Sequence, residues 1–208
     1  MVDLNYLLIK RETDSTEKFV FLQSNLKELF AKPNSKEDLI LQDRDQLIFF
    51  PSLLSSELIK LYDGGNASVE DLNEPGVLYE VHNYCYITDE TLERITLLPQ
   101  SKQSIFLTRF CRDYIKQPLL DVAYVQSDLK SGSKGIFEIY GNVLFPGVYP
   151  YTLNLRLSDI INAGGGFTSL TVIDDIEISR NTIVNNQIKN SFLGSIGLSN
   201  LNEKMKPM

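Results

Sequence analysis

The stretch NVLFPGVYPYTLNLRLSDIINAGGGF (residues 142–167) decides the fold. Pro146 and Gly147 form a turn between two runs rich in aromatic residues. Proline presets its own φ and glycine relieves backbone strain, so this turn closes a hairpin between strands over 136–143 and 147–151. Leu157, Ile160 and Ile161 then make the apolar stripe of a short helix within 155–166. Gly164–Gly166 end that helix with a tight exit that permits positive φ. Asp159 either faces solvent or supports the helix's first turn, where a carboxylate meets the positive end of the backbone dipole. Two further strands are expected in DIEISR (175–180) and NNQIKNSFL (185–193).

Upstream, LNYLLIKR (4–11) and EKFVFLQ (17–23) read as strands joined by a polar link, which suits a hairpin. SNLKELFAKPN (24–34) reads as a short helix capped by Ser24 or Asn25 and ended at Pro33 and Asn34. DLILQDRDQLIFF (38–50) reads as strand, turn, strand, stopped by Pro51. In the middle, SSELIKLY (55–62) suggests a helical turn or two and 63–76 a loop. VLYEVHNYCYIT (77–88) alternates like a strand, and DETLERITLLPQS (89–101) suits a short helix capped by Asp89 or Thr88. QSIFLTRFCRDYIKQ (103–117) is the most helical segment. Phe106, Phe110 and Tyr114 fall on one stripe and Leu107, Cys111 and Ile115 on the next. Pro118 is expected to kink this helix or start a new one, and 126–135 reads as a polar linker.

Composition narrows the function. The 208 residues carry 43% hydrophobic and 23% charged residues, ordinary for a globular chain of one large or two small domains. The formal charge is −7, with no clustered Lys and Arg to neutralise phosphates, so nucleic acid is not expected as a partner. No apolar run approaches the roughly 20 residues that cross a bilayer, and the first residues do not form a signal peptide. Cys85 and Cys111 are the only cysteines. The plain reading is two half-buried thiols, with a disulfide as the alternative in an oxidising compartment.

Catalysis and metal binding find little support in the residues. The carboxylate pairs Asp174–Asp175 and Asp43–Asp45 occupy turn-like positions. Gly164–Gly166 follow a helix instead of opening one, so they make no phosphate cradle. His82, three residues from Cys85, has too few companions for a zinc site. We expect no enzyme, no cofactor and no metal.

A repeat orders the rest. Leu4, Leu7, Ile9, Arg11 and Thr13 match Ile173, Ile176, Ile178, Arg180 and Thr182, and SNLKELF (24–30) resembles SNLNEKM (199–205) in the same order. The first copy has no preceding hairpin and helix. The second has those but lacks a counterpart of DLILQDRDQLIFF. The parts are complementary, so they can combine within one chain or between chains. The expectation is that the second copy keeps its own strands, that the first donates at most its terminal one, and that exchange between chains is favoured.

IYGNVLFPGVYPYTLNLRLSDIINAGGGF, followed by IDDIEISR, resembles the SLBB domain, the soluble-ligand-binding β-grasp, and more narrowly the polysaccharide export proteins of the Gram-negative envelope. The matching residues are Gly141; Pro146, Gly147, Tyr149 and Pro150 in the turn; Leu157 and Asp159 in the helix; Ala163, Gly164 and Gly165 after it; and Arg180, with Arg11 in the first copy. Phe167, where the family usually has Leu, is a departure. Long members also carry an Arg followed by a Leu–Leu pair upstream, as in TRFCRDYIKQPLL (108–120). The resemblance covers 136–182 well, 2–50 less closely and 51–102 hardly at all.

It implies an α+β chain of β-grasp-like portions joined by a mainly helical segment: 1–50 as the end of a first repeat, 51–135 as connection and 136–208 as a second repeat. It also implies a non-enzymatic periplasmic part of a capsule or exopolysaccharide export apparatus, associated with the outer membrane. Partners would be other subunits, further copies of the chain, and polysaccharide. The alternative is a β-grasp module for a small ligand or protein in another envelope system. Tyr140, Phe145, Tyr149 and Tyr151 are the candidate sugar-facing residues, with about half expected to be core because strands alternate. Gly141, Pro146, Gly147, Pro150, Gly164 and Gly165 are expected to shape the backbone.

Overall fold

The computed structural model describes residues 2–13, 18–53, 85–126, 135–168, 176–184 and 187–196. The fold is α+β. Its first sheet is built on β1 (Val2–Glu12), which pairs antiparallel with β2 (Phe19–Ser24) on one side and β3 (Gln46–Pro51) on the other. Tyr6, Leu7, Leu8 and Ile9 are consecutive and all buried. Four apolar residues in a row put apolar side chains on both faces, which marks a strand covered on both sides.

Between β2 and β3 the chain forms α1 (Leu26–Ala31) and a compact loop. Asn25 is the cap: its side chain accepts from Glu28 N at 3.0 Å. Ser24 instead donates to Glu37 O at 2.8 Å, and the buried Glu37 carboxylate accepts from Asn25 N at 2.7 Å. The expected strand over 38–41 is absent, and only the second half of DLILQDRDQLIFF pairs. Asp45 explains this, because it holds the loop as a turn. It accepts from Gln42 N at 2.8 Å and from Arg11 through both carboxylate oxygens, at 2.9 and 2.7 Å. That fork holds the Asp45 carboxyl below its ordinary value, chiefly through the hydrogen bond from Arg11.

The helical middle contains α2 (Asp89–Thr96), capped by Thr88, and α3 (Gln100–Gln126). Pro118 does not end α3, which runs through it as one helix of 27 residues. The apolar face is also narrower than expected: Phe106 and Tyr114 are exposed, while Leu107, Cys111, Leu119 and Ala123 are buried. Cys85 and Cys111 are joined in a disulfide, with Cα atoms 5.0 Å apart. This corrects the two-thiol reading. The bridge sits in a small core with Ile87, Ile95 and Leu107, and it ties the segment before α2 to α3. The segments read over 55–62 and 63–76 lie outside the described residues, as does most of the strand read over 77–88. Its described end, 85–88, is not a strand.

Residues 135–168 form β4 (Ile136–Ile139), β5 (Gly147–Pro150) and α4 (Leu157–Ala163). The hairpin pairs Phe137 with Tyr149 and Ile139 with Gly147. Asp159 accepts from Arg156 N at 2.9 Å, so it supports the first turn of α4. The glycines bring two backbones together. Phe145 N donates to Gly164 O at 2.8 Å, Leu144 N to Gly166 O at 3.1 Å, and Thr168 N to Asn142 O at 2.9 Å. Gly165 has φ +76°, and a Cβ there would collide with the Phe145 ring.

This hairpin and helix close on the N-terminal sheet of the same chain. Leu153 N donates to Phe21 O at 2.8 Å, Phe21 and Thr152 form a parallel bridge, and Gln23 Nε2 donates to Asp159 O at 2.9 Å. One core joins Tyr6, Leu8, Phe21 and Phe50 of the sheet with Leu119 and Ala123 of α3, Tyr149 of β5 and Ala163 of α4. Within the chain, the hairpin and α4 pack on β1–β3 and not on the strands that follow them in sequence, which corrects the expectation that the second part keeps its own strands.

β1 and β6 differ where the repeat expected from the sequence would align them. β6 (Ile176–Val184) and β7 (Gln187–Ile196) pair with each other, and among the described residues with no other strand. In the repeat register Leu8 corresponds to Glu177. Leu8 is fully buried against the hairpin's core, and a glutamate at that point would bring an unpaired charge into apolar surroundings. β6 keeps only the other apolar face, Ile176 and Ile178, opposite Leu7 and Ile9 in the register.

Candidate functional site

The sheet, α3 and the hairpin meet at Arg112. Its position on α3 follows from helical spacing: Thr108, Arg112 and Lys116 fall on one face, all three buried, and Leu119 and Ala123 continue that face. A guanidinium can remain charged inside a protein only if its donors and charge are matched. Nη1 donates to Asp3 Oδ2 at 2.8 Å and to Pro51 O at 3.0 Å, and Nη2 donates to Ala163 O at 3.0 Å. These partners lie on β1, at the end of β3, and at the end of α4. The guanidinium carbon also lies 4.3 Å from the centre of the Phe145 ring and 5.1 Å from that of Phe50. One side chain thus ties β1, the end of β3 and the end of α4 to α3.

Its neighbours extend the contact. Arg109 Nε donates to Leu144 O at 2.9 Å in the hairpin turn. Lys116 Nζ sits 4.1 Å over the Tyr149 ring and 2.8 Å from Asp113 Oδ1. Burial pushes the Lys116 ammonium below its ordinary value, with Asp113 opposing the shift. Tyr149 donates to Phe145 O at 2.7 Å, and its hydroxyl is pushed up to about 12, first by burial. Tyr6, fully buried beside it, is raised well above the ordinary tyrosine value, chiefly by burial and then by Tyr149. Most polar groups here bond one another or the backbone and so hold segments of chain, while the buried Tyr6 hydroxyl and Arg112 Nε have no hydrogen-bond partner among the described residues.

The four aromatic candidates separate. Phe145 and Tyr149 are buried, at 4% and 0% exposure, and are corrected from sugar-facing to core residues. Phe145 covers Arg112, and Tyr149 stacks on Phe137 with ring centres 5.5 Å apart. Tyr140 and Tyr151 are exposed, at 71% and 39%. In the hairpin register Tyr151 follows the Phe137–Tyr149 side, whereas Tyr140 follows Glu138, to whose carboxylate it donates. The two exposed rings therefore do not share a face. Of the backbone residues, Gly141, Gly147 and Gly165 have positive φ, Gly164 caps α4, Pro150 closes β5 opposite Ile136, and Pro146 leads into β5 at Gly147. His82, Asp174 and Asp175 lie outside the described residues, and Asp45 is engaged by Arg11.

Residues 136–182 match the family model of the SLBB domain. No curated protein and no solved structure matches the chain. The SLBB match runs from β4 through α4 into β6, yet the sheet on which its hairpin and helix pack is β1–β3. Arg112, which joins the two, lies outside the match. Its signal in the sequence was the Arg upstream of Leu119–Leu120. Only the fold shows that this arginine is buried at the junction.

Proposed function

We propose that this SLBB-domain chain is a non-enzymatic periplasmic component of a capsule or exopolysaccharide export apparatus, in which the SLBB portion makes subunit contacts and touches the polymer. The SLBB match over 136–182 carries this reading. The Cys85–Cys111 bridge supports an oxidising compartment, because disulfides persist there and are rare in a reducing cytosol. No helix among the described residues is long and apolar enough to cross a membrane. Of the four aromatic candidates, Tyr140 and Tyr151 are the two exposed enough to stack on sugar rings, as two separate contacts.

Deleting the gene and quantifying extracellular and cell-bound polysaccharide tests the proposal. Loss of export with polymer retained inside the cell is the expected result, restored by the intact gene. Unchanged export and surface polysaccharide would overturn it.

A further inference from the structure

α3 has a second ordered face, opposite the one that carries Thr108, Arg112 and Leu119. At about 3.6 residues per turn, Phe106, Tyr114, Gln117, Asp121 and Tyr124 fall within about 80° of one another. The three rings are 41%, 53% and 50% exposed. At about 1.5 Å per residue they stand about 12 and 15 Å apart along the helix. Gln117 and Asp121 lie between the last two rings and are joined, Gln117 Nε2 donating to Asp121 Oδ1 at 2.9 Å. Amide and carboxylate oxygens each accept more than one hydrogen bond, so this pair retains acceptors for hydroxyl groups. Tyr140 continues the stripe. β4 packs by Ile136, Phe137 and Ile139 on the core that holds Leu119 and Ala123 of α3. The Tyr140 hydroxyl is raised first by its hydrogen bond to Glu138, and Tyr124 adds the smallest share, so the two exposed tyrosines sense each other.

The chemistry of the stripe limits what can lie along it. A partner helix needs apolar residues at successive positions of the seam, and Gln117 and Asp121 put an amide and a carboxylate there. An acidic chain needs cations, and the charges of the stripe are the carboxylates of Asp121 and Glu138. Arg109 and Lys116, cations of the same helix, are turned to Leu144 O and to the Tyr149 ring. Rings interleaved with hydrogen-bond acceptors suit a ligand with apolar C–H faces and hydroxyl edges, which is the chemistry of a sugar chain.

We propose that the outer stripe of α3, continued by Tyr140 and Glu138, is a glycan-binding surface that takes a neutral or amine-bearing saccharide chain and rejects an acidic one. This rests on the export reading and extends the contact at Tyr140 from the SLBB portion to the helix before it. The rings supply stacking area, Gln117 and Asp121 accept from sugar hydroxyls, and the two carboxylates repel a uronate or a sulfated sugar while attracting an ammonium.

Calorimetric titration of the purified chain with cello-oligosaccharides, chitosan oligosaccharides and oligogalacturonate tests this. The first two are expected to bind, and oligogalacturonate to bind about tenfold more weakly or worse, since it sets like charges together. Tyr114→Ala combined with Tyr124→Ala should weaken binding by about tenfold or more, because two rings no longer leave water against the sugar. Phe30→Ala, which removes a 68% exposed ring on α1, should bind as wild type does. Asp121→Asn keeps every ring and should narrow the gap between neutral and acidic oligosaccharides. The proposal is overturned by a wild-type chain that binds none of the three or prefers oligogalacturonate, by a double variant that binds and melts like wild type, by Phe30→Ala weakening binding as much as the double variant, or by a gap that Asp121→Asn leaves unchanged. Export lost in the deletion strain with no binding here overturns this surface alone, whereas binding here with export unchanged overturns the export reading alone.

Discussion

Replacing Arg112 by Met tests whether one side chain holds the SLBB hairpin to the N-terminal sheet. Met fills most of the space of the arginine stem but makes none of its hydrogen bonds. The change leaves the Asp3 carboxylate, 7% exposed, without its partner, and strips the Pro51 and Ala163 carbonyls of their donors. Breaking a buried ion pair from one side costs about 3–5 kcal/mol. That is a large part of the roughly 5–15 kcal/mol that holds a domain together. With a urea m-value of about 2 kcal/mol/M, the midpoint should fall by about 1.5–2.5 M. Arg112→Lys should fare little better, because a point charge cannot reach three partners as the planar fork does. Adding Asp3→Asn to Arg112→Met should recover part of the loss, since the stranded charge is then gone. Urea unfolding followed by tyrosine fluorescence gives the midpoints, and hydrogen exchange locates the damage at β1, the hairpin and α4 together. A midpoint shift under about 0.3 M, or exchange changing in α3 alone, would refute the reasoning.

Reducing the Cys85–Cys111 bridge, which spans 26 residues, should lower stability by about 3 kcal/mol and speed amide exchange in α2 before the Arg112 core opens, as read by exchange with and without a dithiol. Gly165→Ala should cost about 1–3 kcal/mol, because alanine is strained at φ +76° and its Cβ meets Phe145; a thermal melt equal to wild type would contradict this. Stability should fall as pH rises from about 10 towards 12. The unfolded chain releases the Tyr149 proton near 10 while the folded chain holds it to about 12, and Tyr6 acts in the same sense. Lys116 acts in the opposite sense, its lowered value adding stability as pH rises towards its ordinary value. Urea midpoints across this range, with Tyr149→Phe showing a shallower decline, check the sign.

The local elements were legible because local chemistry sets them. Asn25 and Thr88 capped their helices and Gly164–Gly166 ended α4, but Pro146–Gly147 is not the hairpin turn: β4 ends at Ile139, which pairs with Gly147, so residues 140–146 make the connection. Where reading failed, distant partners had decided. The apparent strand over 38–41 is irregular, and the turn after it is fixed by Arg11, which holds the Asp45 carboxylate from 34 residues away in sequence. Phe106 and Tyr114 lie on an apolar stripe yet face outward, because the buried face of α3 is set by where Arg112 finds Asp3, 109 residues away. The choice between β1 and β6 was present in the letters. It rests on Leu8 against Glu177, which carries meaning only once the buried face of β1 is known. The aromatic site was half legible, since alternation removes two of four rings without saying which two.

Closure of the hairpin on β1–β3 has a consequence for biosynthesis. The sheet ends at Pro51, while its cover is complete only at Thr168, more than a hundred residues later. At about 5–20 residues per second, the faces of Tyr6, Leu8, Phe21 and Phe50 wait roughly 6–25 seconds after they are made before Tyr149 and Ala163 exist to cover them. Throughout that interval a nascent chain presents an adhesive half-core. Such an interval favours holding chaperones or delayed folding more than the modest size of the chain alone would suggest.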